Sequence, residues 1–308
     1  MSGGGSGGGS VGGSGGGSGG GSVGGSGGGS AGGFGSNMWG GVSHFGFDPL
    51  HARAPLSIDQ IQRNRKFSKE DWGPGYFAER VLAEFHEKSP GWRADPILVG
   101  TEQVVDENGS ARVLKPFNDE SGDELTLALF EEITTLTEKT GERRIREVEI
   151  YDQLGSFLDH FSNMLKITPR HYNTHRLMAA AARVGQTVAM YFKNEYDFPR
   201  PNQVYPNLVP MIPVPMHPSW PSGHATEAYL VAEALGAAKA EFRTPAMVVA
   251  RRIAENREVA GVHYHEDSEA GRLMAERIIA LLAQGLGSTP LIEDLISRSG
   301  AELTETMG

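Results

Sequence analysis

The stretch LMAAAARVGQTVAMY, residues 177–191, places apolar side chains along one face of an α-helix. The residues that recur there at intervals of three and four are Leu177, Ala181, Val184, Val188 and Tyr191. This is the spacing of a helix that packs one side against a hydrophobic core. The stretch therefore predicts a long amphipathic helix inside a folded domain.

Stripes of the same kind occur on both sides of this stretch. They consist of Leu125, Leu129, Ile133 and Leu136, and of Leu273, Met274, Ile278, Leu281 and Leu282. The alternation typical of β-strands is scarce, and the one candidate strand covers residues 97–105, before the Asn108-Gly109 turn. We therefore predict an all-α domain, a compact bundle of many helices.

Three Thr-Pro pairs predict where helices begin, because a threonine hydroxyl can cap a helix and proline suits its first turn. The pairs are Thr168-Pro169, Thr244-Pro245 and Thr289-Pro290. The proline-rich residues 199–221 are not compatible with a helix. They predict a long ordered loop over the surface.

The N-terminus has a different composition from the rest of the 308-residue chain. Its first 41 residues contain 24 of the 42 glycines and no Asp, Glu, Lys or Arg. Residues 1–36 are irregular Gly-Gly-Gly-Ser units, which have nothing to bury and much backbone entropy to lose. We predict a flexible, disordered tether over residues 1–41 and a single helical domain over residues 42–308. A tail for surface display or self-association is the alternative.

Charge and composition exclude several classes of protein. A net charge of −10 argues against general nucleic-acid binding, which depends on basic surface. The chain has no cysteine, which excludes a disulfide framework and a thiolate metal site. No window contains the roughly 18 apolar residues of a membrane-spanning helix, so we expect no integral membrane span.

The N-terminus also bears on the compartment. Met1 is followed by Gly and Ser, without a basic region and an apolar region after it, so no secretory signal is legible. This predicts a cytoplasmic protein. The periplasm or secretion is the alternative if the Gly/Ser-rich tail has replaced a native leader. The oligomeric state is not encoded in any pattern of the sequence.

The first segment with candidate chemistry is KNEYDFPRP, residues 193–201. Lys193 is near the end of an amphipathic helix, and Arg200 opens the proline-rich loop. An ammonium group and a planar guanidinium are the side chains best suited to bind a tetrahedral oxyanion. The alternative is that these cations only complement the helix dipole.

The second segment is PSGH, residues 221–224, followed by a helical run. Ser222 and Gly223 at a helix N-terminus would present free backbone N–H groups to an anion, and glycine allows its close approach. His224 would then stand beside the bound group, where an acid or base is useful. Alternatively, Ser222 only caps the helix and His224 lies on the surface.

The third segment is REVAGVHYHED, residues 257–267. Gly261 is predicted to end the helix that carries Arg257, which leaves His263 in the following turn. Asp267 is four residues further on, where its carboxylate can fix the imidazole tautomer and raise its basicity. His263 could then act as a nucleophile or as a metal-oxo ligand. Alternatively, Asp267 caps the next helix and His263 has a structural role.

In order, the segments have the pattern Lys-x6-Arg-Pro, Pro-Ser-Gly-His and Arg-x5-His-x3-Asp. This pattern resembles the type 2 phosphatidic acid phosphatase superfamily, which also contains the soluble bacterial acid phosphatases and the vanadate-dependent haloperoxidases. The resemblance covers residues 193–267 and implies the all-α bundle of those enzymes and a catalytic domain over residues 42–308. One departure is Asn256, where the family often has serine before the third-segment arginine.

The resemblance implies a role for each of these residues. His263 would attack phosphorus to form a phosphohistidine, or would ligate vanadium axially. Asp267 would orient His263, and His224 would be the general acid for the leaving oxygen. The oxygens of phosphate or vanadate would be bound by Lys193, Arg200, Ser222, Gly223 and Arg257.

Two reactions and one binding function are compatible with this set. A phosphatase would hydrolyse a small phosphorylated substrate without a metal or other cofactor. A haloperoxidase would hold vanadate as its cofactor, with His263 as the metal ligand, and would oxidise halide, bromide rather than chloride, with peroxide. A tethered binding protein would only hold phosphate.

We favour the phosphatase, because the separation of His224 from Arg257 is short and the folded body is of modest size. His217, seven residues before His224, is the argument for the haloperoxidase. Its position resembles the site of a residue that tunes halide choice in that group, so it is a candidate for halide or substrate tuning. The alternative is a loop histidine among prolines.

Overall fold

A computed structural model of the protein describes residues 72–106, 108–283 and 290–305. The predicted tail, residues 1–41, and the start of the predicted domain, residues 42–71, lie outside the described residues. Within the described ranges nearly all regular structure is helical, which confirms the predicted all-α class.

The α-helices are numbered here in chain order. They are α1 (Pro74–Lys88), α2 (Gly122–Lys139), α3 (Arg143–Ser156), α4 (Leu158–Met164), α5 (Tyr172–Tyr196), α6 (Pro201–Val204), α7 (Gly223–Ala238), α8 (Ala240–Val259), α9 (His265–Ala283) and α10 (Pro290–Glu305). None of those within the described ranges has the length and apolar character needed to cross a bilayer.

Helix α7 lies at the centre of the bundle, in contact with α5, α8, α9 and α10. Its side chains are buried on all sides from Ala225 to Leu235, although Glu227 and Glu233 are among them. Helices α1 and α10 cover the other face of α5. Of the stripe predicted in residues 177–191, Leu177, Ala181, Val184 and Val188 are buried in α5, and Tyr191 is half-buried.

Two glycines let neighbouring helices approach the first turns of α7. A Cβ atom at Gly185 of α5 would lie 3.1 Å from Cα of Glu227, and one at Gly271 of α9 would lie 2.8 Å from the backbone nitrogen of Thr226. Both distances are too short for an undisturbed side chain, since interiors are close-packed. The start of α7 is therefore fixed between α5 and α9 by backbone contact.

A second, smaller core lies beneath α2. Ile133 and Leu136 of α2 pack there with Phe117, Leu208 and Tyr264. Phe117 contacts Tyr264 edge to face, with ring centroids 5.4 Å apart. Because Tyr264 lies between α8 and α9, this core attaches α2 to the turn that joins those two helices.

Two of the predicted helix starts are wrong. Pro169 lies in a turn before α5, which begins at Tyr172. Pro245 lies inside α8, which begins five residues earlier at Ala240. A proline there removes the hydrogen bond to the carbonyl four residues before it, and the burial of Phe242 and Ala246 on either side offsets that loss. Pro290 does begin α10, as predicted.

The predicted strand is also shorter than expected. Only β1 (Val104–Val105) pairs, antiparallel, with β2 (Ala111–Arg112). The preceding residues turn back on themselves, and the N–H of Thr101 donates to the carbonyl of Pro96 at 2.9 Å. The proline-rich loop contains one helical turn, α6, which begins at Pro201, where a missing N–H costs no helical bond.

Candidate active site

The predicted site residues lie at the ends of four helices that meet at one end of the bundle. Lys193 is in the last turn of α5, and Arg257 is in the last turns of α8. His224 is in the first turn of α7, and Asp267 is in the first turn of α9. The site is therefore formed by helix ends, and these four side chains lie together at that end of the bundle.

Lys193 is 1% exposed and is held by the loop that leads into α7. Its Nζ donates to the carbonyl oxygens of Pro218 and Ser219, at 2.8 and 2.7 Å. Burial lowers the pKa of Lys193 well below its usual value, and the charge of Arg200 lowers it further. A bound anion would reverse this shift, since an opposite charge favours the ammonium form.

Arg200, also 1% exposed, connects the proline-rich loop to the turn after α8. Its Nε donates to the carbonyl of His217 at 2.9 Å, and its Nη1 donates to the carbonyl of Val262 at 2.7 Å. The same Nη1 is 3.4 Å from Nε2 of His263. Burial lowers the pKa of Arg200 to about 10, so the guanidinium remains charged at neutral pH.

Ser222 and Gly223 begin α7, as predicted. Ser222 is the N-cap, and its Oγ accepts from the N–H of Ala225 at 3.4 Å. Its own N–H donates to the carbonyl of Asp267 at 3.0 Å, which joins the start of α7 to the start of α9. A Cβ at Gly223 would lie 4.0 Å from Cε of Lys193, so the lysine side chain passes beside this helix start.

Arg257 is oriented by α3 and is 2% exposed. Its Nη2 donates to the carbonyl of Ile150 at 3.1 Å and to Oε1 of Gln153 at 2.8 Å. Its Nε is buried and has no hydrogen-bond partner among the described residues. Burial lowers the pKa of Arg257 to about 10. A buried donor of this kind fits a bound oxyanion.

Asn256, the departure from the family pattern, lies behind Arg257. Its Nδ2 donates to Oε1 of Gln153 at 3.2 Å, the oxygen that also holds Arg257. Its Oδ1 accepts from Arg146 at 3.2 Å. The asparagine therefore supports the arginine indirectly. Sequence reasoning missed Gln153, because its place beside Arg257 depends on the packing of α3 against α8.

His263 and Asp267 form a buried pair. Nδ1 of His263 is 2.8 Å from Oδ2 of Asp267, which also accepts from Ser219 Oγ at 2.5 Å and from the N–H of Tyr264 at 3.1 Å. An acceptor on Nδ1 places the proton there and leaves the lone pair on Nε2. Ser219 is a second residue that sequence reasoning missed, since no spacing rule connects it with Asp267.

Burial and charge set the protonation of this pair. Burial lowers the pKa of His263 well below its usual value, and the charges of Arg200 and Lys193 act in the same direction. Burial raises the pKa of Asp267 to about 6, against the hydrogen bond from Ser219 and the charge of Lys193. His263 is therefore neutral at neutral pH, which is the form in which a nitrogen can attack.

His224 stands beside Phe157, with ring centroids 5.7 Å apart. Burial lowers the pKa of His224 to about 3, and the charge of Arg257 adds to the effect, against a hydrogen bond to the backbone of Gln153. A dianion nearby would raise this pKa, because it favours the protonated ring. His224 is thus a group whose protonation depends on what the cationic cluster binds.

His217 lies against Arg200, with its Nδ1 3.2 Å from Nη2 of the arginine. Its charge contributes to the lowered pKa values of both His224 and His263, so it belongs to the same electrostatic cluster. It also lines an open cavity of about 560 Å³ on the proline-rich loop. Its role in halide or substrate tuning stays a prediction.

One comparison with known proteins supports the sequence pattern. A family model described as the PAP2 superfamily matches residues 175–287. This match spans all three segments and supports membership of the type 2 phosphatidic acid phosphatase superfamily, as the sequence predicted. Among curated proteins, no sequence matches the chain.

Proposed function

We propose that this member of the PAP2 superfamily hydrolyses phosphoric monoesters through a phosphohistidine on His263. The superfamily supports phosphoester hydrolysis or related chemistry for the chain. The observation that carries the finer proposal is the cluster of three buried basic side chains, Lys193, Arg200 and Arg257. The charges of Arg200 and Lys193 act on His263, and the charge of Arg257 acts on His224. We therefore treat the cluster as an oxyanion site with a nucleophile at its edge.

The three cations account for binding of the phosphoryl group and for much of the acceleration of its transfer. Phosphoryl transfer depends mostly on positioning and on stabilising charge at the phosphoryl oxygens. Three positive charges around a monoester dianion supply that stabilisation where water is excluded. The backbone N–H groups at the start of α7 add the positive end of a helix dipole.

The first step forms a bond from Nε2 of His263 to phosphorus and breaks the bond from phosphorus to the ester oxygen. Asp267 keeps the proton on Nδ1 and stabilises the positive charge that develops on the ring. His224, protonated when the dianion is bound, gives its proton to the leaving oxygen. The alcohol then leaves.

The second step is hydrolysis of the phosphohistidine. Water attacks phosphorus, His224 accepts the proton from that water, and the bond from phosphorus to Nε2 breaks. Inorganic phosphate leaves, and His263 returns to its neutral form. His224 therefore acts once as an acid and once as a base, and no other proton carrier is needed.

The experiment is hydrolysis of p-nitrophenyl phosphate by the wild type and by His263→Ala. We expect the variant to lose at least about 1,000-fold in kcat, since the nucleophile is removed. His171→Ala, at the opposite end of α5 from Lys193, is the matched control and should retain wild-type turnover. A covalent phosphate label that is stable in alkali, labile in acid and absent from His263→Ala would identify the intermediate. Retention of more than about a tenth of kcat by His263→Ala would show that another residue is the nucleophile.

The haloperoxidase is tested in the same preparation. The buried Nε of Arg257 fits an oxyanion of phosphorus or of vanadium equally well. Vanadate would contact Lys193, Arg200, Arg257 and His263, and when bound it would supply activation of peroxide for halide oxidation. We expect orthovanadate to inhibit ester hydrolysis. Bromination by peroxide and bromide that requires added orthovanadate, without ester hydrolysis, would replace the phosphatase proposal.

A further inference from the structure

The turn that carries His263 is held from outside by the polar edge of α2. The carboxylate of Glu132 accepts two backbone hydrogen bonds, from the N–H of His265 at 2.8 Å and from the N–H of Glu266 at 3.3 Å. These are the first two residues of α9, whose N–H groups have no partner within the helix. Glu132 is therefore the cap of α9, supplied by another helix.

A second contact from α2 reaches the other side of the same turn. Lys139, two helical turns after Glu132, pairs with the carboxylate of Glu258 in the last turn of α8. Glu258 is 1% exposed and also accepts from Nδ1 of His265 at 3.3 Å. Helix α2 thus contacts both sides of the turn: Lys139 binds the end of α8, and Glu132 binds the start of α9.

Opposing influences act on the protonation of Glu132. The first turn of α9 has the positive end of a helix dipole, where a carboxylate is stabilised. Burial is the largest influence and, with the carboxylates of Glu258 and Glu266, keeps the pKa of Glu132 above its usual value, although the hydrogen bond from His265 lowers it. Glu266 is itself paired with Arg112 of β2.

From this arrangement we propose that Glu132 is a positioning residue for His263, which rests on the phosphatase proposed above. The first turn of α9 contains Asp267, and Asp267 holds Nδ1 of His263. The N–H of Ser222, which donates to the carbonyl of Asp267, and the apolar contacts of Tyr264 also hold this turn. Glu132 adds the hydrogen bonds that fix the first two N–H groups of α9 against α2. Without the cap, the carboxylate of Asp267 shifts and the imidazole loses its attacking orientation.

The test measures kcat, KM for p-nitrophenyl phosphate and Ki for inorganic phosphate. Glu132→Ala should lower kcat about tenfold, because small misplacements of a reacting group are costly. Glu132→Gln keeps one acceptor oxygen and should lose about threefold. KM and Ki should stay within about twofold, since no hydrogen bond or ion pair joins α2 to Lys193, Arg200 or Arg257 among the described residues. Glu131→Gln, the exposed neighbour, is the matched control and should match the wild type.

Two outcomes would overturn the proposal. One is a Glu132→Ala enzyme that keeps more than about half of the wild-type kcat. The other is a rise in Ki parallel to the loss of kcat, which would mean that the whole site is disturbed. If Glu132→Ala does not fold, Glu132→Gln is judged by the same two criteria.

A second measurement separates this proposal from the phosphatase itself. If the wild type hydrolyses no ester, the proposed function fails, and the hydrogen bond of His263 is then followed directly by proton NMR. We expect the downfield Nδ1–H signal of His263 to broaden or shift in Glu132→Ala and to stay unchanged in Glu131→Gln. A signal unchanged in Glu132→Ala would overturn the positioning role.

Discussion

The start of α7 and the turn between α8 and α9 contribute opposite halves of the candidate site and are held in place by different forces. At the start of α7, Gly185 and Gly271 bring two neighbouring backbones into contact with Thr226 and Glu227. At the α8–α9 turn, polar groups from α2 and from the proline-rich loop converge, among them Glu132 and Ser219.

The two kinds of contact match the different groups that the start of α7 and the α8–α9 turn present to the site. The start of α7 presents backbone N–H groups, whose direction is fixed as soon as the helix is fixed, so close packing is sufficient. The α8–α9 turn presents an imidazole, which can rotate about its own bonds. A side chain of that kind needs hydrogen bonds to select one orientation and one tautomer.

Apart from removal of His263 itself, the largest effect is expected from a change at Asp267, which lies at the centre of the hydrogen-bonded α8–α9 turn. Asp267→Asn should lower kcat by about 100-fold or more, because an amide can donate to Nδ1 and favour the wrong tautomer of His263. Ki for inorganic phosphate should change less than about threefold, since the three cations remain. Steady-state kinetics with phosphate as inhibitor measures both. A loss in kcat below about fivefold would show that packing alone orients the imidazole.

An intermediate effect, on the free energy of unfolding, is expected at the start of α7, which is held by close packing. Gly271→Ala places a Cβ 2.8 Å from the backbone nitrogen of Thr226. Overpacking of this kind should lower the free energy of unfolding by about 1–3 kcal/mol, equally at low and high salt. Urea unfolding at two salt concentrations measures it.

Gly155→Ala is the matched control for that change. Gly155 is a helical glycine of α3 with no atom within 4 Å of its added Cβ. Alanine there should raise the free energy of unfolding by about 0.5–1 kcal/mol, because the unfolded chain loses entropy. Equal stability of the two variants would contradict the close packing described for α7.

The smallest effect is expected from His265, which lies at the exposed edge of the α8–α9 turn. Its hydrogen bond to Glu258 raises its pKa to about 9 in the folded state, above the ordinary value near 6.5. The protonated ring therefore stabilises the fold fully below about pH 6.5, and this contribution is lost as the pH rises through about 9. With its side chain 56% exposed, we expect only about 0.5 kcal/mol.

Unfolding of the wild type and of His265→Gln, measured at pH 6 and at pH 9.5 in low salt, tests this. The variant should be the less stable of the two at pH 6, and the difference should vanish at pH 9.5. A difference that does not depend on pH would mean that the ring acts by packing and not by charge.

The helical class and the candidate residues could both be predicted from the sequence, but from different kinds of pattern. The stripe in residues 177–191 is a local pattern with a period of its own, so α5 could be predicted from it. Lys193, Arg200 and His263 could be selected because their residue types suit one ligand, and the structure brings them together. Their catalytic roles stay predictions.

What the sequence could not predict depends on contacts between distant segments. Glu132 is an ordinary exposed-looking acid on an amphipathic helix until α9 is placed against it. Gln153 and Ser219 could not be predicted for the same reason. Gln153 binds Arg257 and Ser219 binds Asp267, and each partner is far away in the chain. Pro245 misled the prediction because proline is typical of first turns, whereas tertiary burial keeps it inside α8.

Arg200 and Lys193 hold the proline-rich loop by main-chain oxygens, those of His217, Pro218 and Ser219. Every amino acid supplies that oxygen, so these particular bonds do not depend on the side chains that the loop carries at the three positions. The loop can therefore accumulate substitutions on its outward face while the anion site keeps its geometry. In evolutionary terms, substrate preference can change on the outer side of the loop while Lys193 and Arg200 keep their main-chain contacts.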